Sequence, residues 1–166
     1  MVYSFRDSFD HWLVKLLPAD MQLREPLGND TAYWSRDDQT RLAATAGVSR
    51  SEFRRTQPLL LDPARAPVTL IARGATAAQA AAELPLVRGG AGGVPVTSAD
   101  ATTAPAAPQP AWISEALQDL YGYRIGSDIV LPLAGHNLRF TVAGIWRDYA
   151  RTTGAVVISR RAYINA

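Results

Sequence analysis

Two short runs near the end of the chain alternate strictly between apolar and other positions, and nothing else in the sequence is so restrictive. Ile129, Leu131 and Leu133 take every second place before "AGHN", and Leu138, Phe140 and Val142 do so after it. A period of two puts successive side chains on opposite faces of a strand, so each run is a strand with one buried face. So short a connection makes the pair an antiparallel hairpin, with His136 in its loop. A lone hairpin is not stable in water, so other elements must cover its apolar face.

Several stretches can supply that cover. "GAVVIS" reads as a further strand, and "SRRAYINA" opens a last helix. "ISEALQDLYG" reads as a helix capped by Ser114 and stopped by Gly122, with Leu117, Leu120 and Tyr121 facing inward. Ser35 with an acid three residues on marks another helix start, expected to run to about Ala46 and end at Gly47. "SEFRRTQPLLLD" and "PVTLIAR" form a hairpin around "DPARAP", and Pro58 places the first of these strands at a sheet edge. "TAAQAAAELPLV" is helix-prone up to Pro85. At the start, Phe5, Phe9, Trp12, Leu13 and Leu16 define one face of a helix over about residues 4–17, limited by Pro18. "MQLR" then reads as a short strand and "PLGND" as a turn. Strands and helices mix without regular βαβ repetition, which gives an α+β class with a mixed sheet and short helices.

Residues 89–110 stand apart. They are Gly, Ala, Pro, Ser and Thr with almost no large side chain, and read as a flexible loop because they bury too little surface to offset ordering entropy. The whole chain of 166 residues is read as a single domain, with two lobes allowed.

Charge and chemistry narrow the function. The net charge of +2 comes with only two adjacent basic pairs, Arg54-Arg55 and Arg160-Arg161, which leaves no stripe suited to nucleic acid. The absence of cysteine removes thiol catalysis and disulfides. His11 and His136 lack partners at metal-ligand spacing, no serine sits in a nucleophile turn, and "GGAGG" lacks the lysine of a phosphate loop. Asp37 and Asp38 are explained by a helix N-terminus. No catalytic residue, cofactor or metal is therefore expected. No stretch approaches the roughly 18 to 20 apolar residues of a membrane span. The charged start "MVYSFRDSFDHW" is not a secretory signal either.

One polar-aromatic knot remains, "WRDYAR" after Gly144, a residue that allows close approach or a bulge. Its first reading is a packed sheet corner in which Asp148 pairs with a nearby Arg. Its second is a contact surface formed by Trp146, Arg147, Tyr149 and Arg151, residue types that dominate interface hot spots.

"WISEALQDLYGYRIGSDIVLPLAGHNLRFTVAGIWRDYARTTGAVVIS" resembles the periplasmic domain of FtsX/MacB/LolC-like permeases of bacterial ABC transporters. The likeness is carried by Ser114-Glu115-Ala116-Leu117, Tyr121-Gly122, Gly126 with Asp128, and Val142-Ala143-Gly144-Ile145. Ser127 is one residue more than the family pattern, and 89–110 has no counterpart in it. The opening is similar to the segment after the first membrane span in larger members, so the match covers about the first 25 and last 55 residues.

The resemblance implies a two-lobed extracytoplasmic domain in the inner membrane, facing the periplasm, with flanking transmembrane helices outside this chain. It implies partners: a cytosolic ATP-binding subunit reached through those spans, a second permease copy, and a periplasmic protein or lipid-like substrate. The domain would be non-catalytic, coupling ATP-driven motion to lipoprotein, lipid or small-molecule export. The helix at 4–17 and the terminal helix would then lie side by side. The rival readings are a soluble periplasmic binding or adaptor module and a hydrolase using Asp148 and His136.

Overall fold

The computed structural model describes residues 19–23, 34–89 and 108–166, with the backbone alone at 88 and 89. The expected helix at 4–17, the turn in "PLGND" and the proximity of the chain ends lie outside the described residues.

Helix α1 (Arg36–Ala43) starts where Ser35 caps it: the Ser35 hydroxyl accepts from the Asp38 amide at 3.1 Å, and the Asp38 carboxylate accepts from the Ser35 amide at 3.2 Å. The Ser35 hydroxyl and then Arg41 hold the Asp38 carboxyl below its ordinary range. The helix ends at Ala43, not Ala46, and Gly47 closes the following turn at a φ of 89°. Met21 to Leu23 form no strand, which corrects that expectation.

Strands β1 (Arg55–Leu59) and β2 (Val68–Arg73) pair antiparallel as expected, and β1 with its Pro58 lies at the sheet edge. Helix α2 (Ala77–Ala82) follows, capped by Thr76, and leads past Pro85 into β3 (Leu86–Gly89). Strand β4 (Gln109–Ser114) runs into helix α3 (Glu115–Tyr121), which Gly122 ends at a φ of 72°. Gly89, Gln109 and Pro110 therefore belong to strands, which trims the expected loop at both ends. Small side chains gave no strand signal there, but ladder bonds are made by backbone and need none.

Strands β5 (Asp128–Leu133) and β6 (His136–Trp146) form the expected hairpin. The turn is only Ala134 and Gly135, at φ of 47° and 81°, so His136 is the first residue of a strand and not part of a loop. Strand β7 (Ala155–Ser159) passes directly into helix α4 (Arg160–Ile164), capped by Ser159.

The seven strands make one mixed sheet in the order β1-β2-β7-β4-β6-β3, and β5 pairs with β6 beside that path. β2 with β7 and β4 with β6 are parallel; the other pairs are antiparallel. β6 is long enough to take β5 along 136–141 and β3 along 144–146, both on the edge opposite β4. The class is α+β.

A bulge in β6 decides what its end faces. Ala111 of β4 pairs with Val142, but the next residue, Trp112, pairs with Gly144, so Ala143 is extra. Phe140, Val142 and Ile145 consequently share one face, while Ala143 and Trp146 turn to the other. The first face packs Leu70, Ile113, Leu131, Phe140 and Ile158 beneath Leu117 of α3 and Ala162 of α4. The second gathers Ile71, Trp112, Trp146 and Val157 under Ala80, Ala81 and Leu84. Leu117 is buried as expected, but Leu120 is 46% exposed and Tyr121 half-buried. A helix of two turns has only a narrow inward stripe, and the Leu120 position lies off it.

Candidate functional site

The corner after β6 is fastened from three sides. The Arg147 amide donates to Pro85 O at 3.0 Å, tying the end of β6 to the start of β3. Its guanidinium reaches α3, with Nε donating to Glu115 Oε2 at 3.1 Å and Nη2 to Oε1 at 3.4 Å. The guanidinium carbon also lies 6.0 Å from the Tyr149 ring centroid. The Glu115 bond and charge, followed by the bond to Tyr149, push the Arg147 pKa still higher. Asp148 folds back on its own turn: its carboxylate accepts from the Ala150 amide at 2.9 Å and from Arg151 Nη1 at 3.0 Å. This is the expected corner ion pair, made with Arg151.

Of the four residues proposed from sequence as a contact surface, the fold separates one from the rest. Trp146 is 1% exposed and belongs to the second core cluster, on the face the bulge assigns it. It therefore contributes no surface to a contact. Tyr149 is exposed, and Arg147 and Arg151 are half-buried beside it.

An open groove of about 740 Å³ lies next to this corner. Glu115, Gln118 and Asp119 of α3 line it together with Tyr123, Arg124, Arg147 and the exposed Val87. Tyr123 stacks on Tyr121 with centroids 5.9 Å apart, and Arg65 lies 4.6 Å over the Tyr121 ring. Burial, and then the nearby Tyr121, push the Tyr123 hydroxyl pKa up. Sequence reasoning missed this groove. The signal was available: Glu115, Gln118, Asp119 and Gly122 fall at offsets 0, 3, 4 and 7, a single helical face.

A second polar cluster marks the end of β2. Arg73 is 2% exposed; its Nε donates to Glu83 Oε2 at 3.0 Å and lies 3.8 Å from Glu52 Oε1. Glu52 is paired with Arg54 at 3.0 Å, and Arg50 lies 3.7 Å from Glu83. Burial acts to raise the Glu52 pKa, but the Arg54 bond and the Arg54 and Arg73 charges outweigh it and hold it low.

The remaining sequence candidates have structural explanations. The buried Ser114 hydroxyl accepts from the Leu117 amide at 3.3 Å and the Ala155 amide at 2.9 Å, joining α3 to β7. His136 begins β6 and Asp148 lies just beyond its other end, so about ten residues at roughly 3.3 Å each separate them. They cannot share a proton, and that dyad is ruled out. Among the described residues, no group of three or more His, Asp or Glu side chains could hold a metal ion. No helix among them is long and apolar enough to cross a membrane. Compared with known proteins, the chain matches no family model, and no curated protein matches it.

Proposed function

We propose that the chain is a non-catalytic extracytoplasmic domain of an ABC transporter permease subunit of the FtsX/MacB-like type, held in the inner membrane and facing the periplasm. In this reading it belongs to a two-lobed fold, and a separate cytosolic subunit hydrolyses ATP. Membrane spans outside these residues carry the motion, and the domain passes it to a periplasmic lipoprotein, lipid or small molecule.

The observation that carries the reading is that the motif positions sit on structural joints. Ser114 caps α3 and Gly122 ends it at positive φ. Gly126, at a φ of 86°, turns the chain toward β5, and its amide donates to Val142 O of β6 at 2.8 Å. Ala143-Gly144 is the bulge that orients the end of β6. The extra Ser127 fits this turn, since its hydroxyl accepts from the Arg124 amide at 3.1 Å. Motifs that fix joints suit a part that must move as one body.

The sheet supplies the mechanics. α4 is joined without a linker to β7, which lies between β2 and β4 in the interior of the sheet. Displacement of α4 is thus delivered to an interior strand and shared through its ladders. The Glu115–Arg147 pair and the Arg147–Pro85 bond keep α3 and β3 moving with the end of β6.

The test is made on the full gene product. It should be extracted from membranes together with an ATP-binding subunit, and addition of a non-hydrolysable ATP analogue should change amide exchange in β7 and α4. Recovery in an aqueous periplasmic extract, without such a subunit, contradicts the proposal.

A further inference from the structure

We propose that the groove beside α3 is a binding site for a short peptide with both termini charged. The inference is independent of any membrane setting and rests on the charge arrangement of the groove. Four ionisable side chains of fixed sign line it: Glu115 and Asp119 are acids, Arg124 and Arg147 are bases, and their charges cancel. Glu115 and Arg147 satisfy each other. Asp119 and Arg124 do not: among the described residues neither side chain has an ion-pair or hydrogen-bond partner, and the Arg124 bonds are made by its backbone.

A groove whose charges cancel holds neither a lone anion nor a lone cation strongly, since each attraction comes with a nearby repulsion. A molecule carrying one charge of each sign gains at both positions. The planar guanidinium of Arg124 suits a terminal carboxylate, to which it can present two N–H groups in parallel. The Asp119 carboxylate suits a terminal ammonium. Val87, 39% exposed, offers apolar surface for a side chain, and the Gln118 amide can serve a peptide bond.

The wall is held before any ligand arrives. Tyr123 is braced by its stack on Tyr121, Tyr121 by Arg65, and Arg65 by a hydrogen bond to Leu120 O at the end of α3. Preorganised walls lower the ordering cost of binding. The volume falls within the range of about 300–1,000 Å³ for small-ligand sites, which suits about two to four residues and leaves a free amino acid loosely held.

The experiment titrates the isotope-labelled full chain with Ala-Leu-Ala bearing free termini, and separately with its acetylated, amidated form and with free leucine. The expected result is that the free peptide shifts the amide signals of Gln118, Asp119, Tyr123 and Arg124, while the blocked peptide at equal concentration does not. Asp119→Asn and Arg124→Gln should each weaken binding by about tenfold, the scale of losing a charged hydrogen bond. Both variants should keep the parent's thermal midpoint, because neither side chain supports the fold. Equal binding of the blocked peptide, tighter binding of leucine than of the peptide, or no shift at these residues overturns the proposal.

Discussion

On one face of the sheet Leu70, Ile113, Leu131, Phe140 and Ile158 are packed under α3 and α4 as aliphatic and aromatic bulk. On the other, Trp112 and Trp146 lie among Ala80, Ala81, Ala143 and Ala155. Arg73 follows the parity of Ile71 onto this second face, where Glu83 and Glu52 neutralise it at the margin. The first face is held by shape and by the removal of apolar surface from water, which respond little to pH. The second adds a buried ion cluster, so its hold depends on protonation as well as fit. One sheet thus carries two kinds of cohesion, and perturbations can tell them apart.

The largest effect is expected on the first face. Phe140→Ala removes a ring that is 2% exposed, and should cost about 3–5 kcal/mol in urea unfolding. Next comes Arg73→Met, which removes the buried cation shared by Glu83 and Glu52, leaving them only the more exposed Arg50 and Arg54, and should cost about 3 kcal/mol. Replacing Arg73, Glu52 and Glu83 together with apolar residues should recover most of that loss. A smaller cost, about 2 kcal/mol, is expected for Gly154→Ala. Gly154 adopts a φ of 93°, and an added Cβ would lie 2.9 Å from Leu117 Cβ, pressing the loop before β7 against α3.

Acid should separate the faces. The folded-state pKa of Glu52 lies below its ordinary value of 4.5, so its contribution is complete above that value and fades as pH falls through the lower one. Parent protein should therefore lose stability below about pH 4.5, and the Arg73→Met variant should lose less over the same range. Equal pH profiles would show that the cluster does not supply the difference. The smallest effect is expected at the corner. Glu115→Gln weakens a pair whose side chains are 38% and 42% exposed, and should cost no more than about 1 kcal/mol.

Much of the first face was legible in the sequence because period-two alternation survives wherever one side of a strand is wet. The β5–β6 hairpin, Pro58 at an edge, and the caps at Ser35, Ser114 and Gly122 were all read from local chemistry. What escaped was set by register. Gly144 signals a bulge, but nothing marks Ala143 as its extra residue, so the face that Trp146 takes could not be inferred from alternation. β3 was hidden because its identity comes from the β6 edge it pairs with. The Arg73 cluster joins residues 52, 73 and 83, a contact that depends on the sheet and α2 being in place. Of the contact candidates, Arg147, Tyr149 and Arg151 stay beside the groove or the surface. Its other wall was visible only as a polar helical stripe whose use was not recognised.

The proposed role requires this domain to be a water-facing part fixed to membrane spans that lie beyond it. Fusions to the full gene product, using one reporter enzyme active only in the periplasm and one active only in the cytoplasm, test that most directly. The expected result is an apolar stretch of about 18–20 residues on each side of the domain and periplasmic activity for fusions within it. Cytoplasmic activity within the domain, or flanks without such stretches, would contradict it.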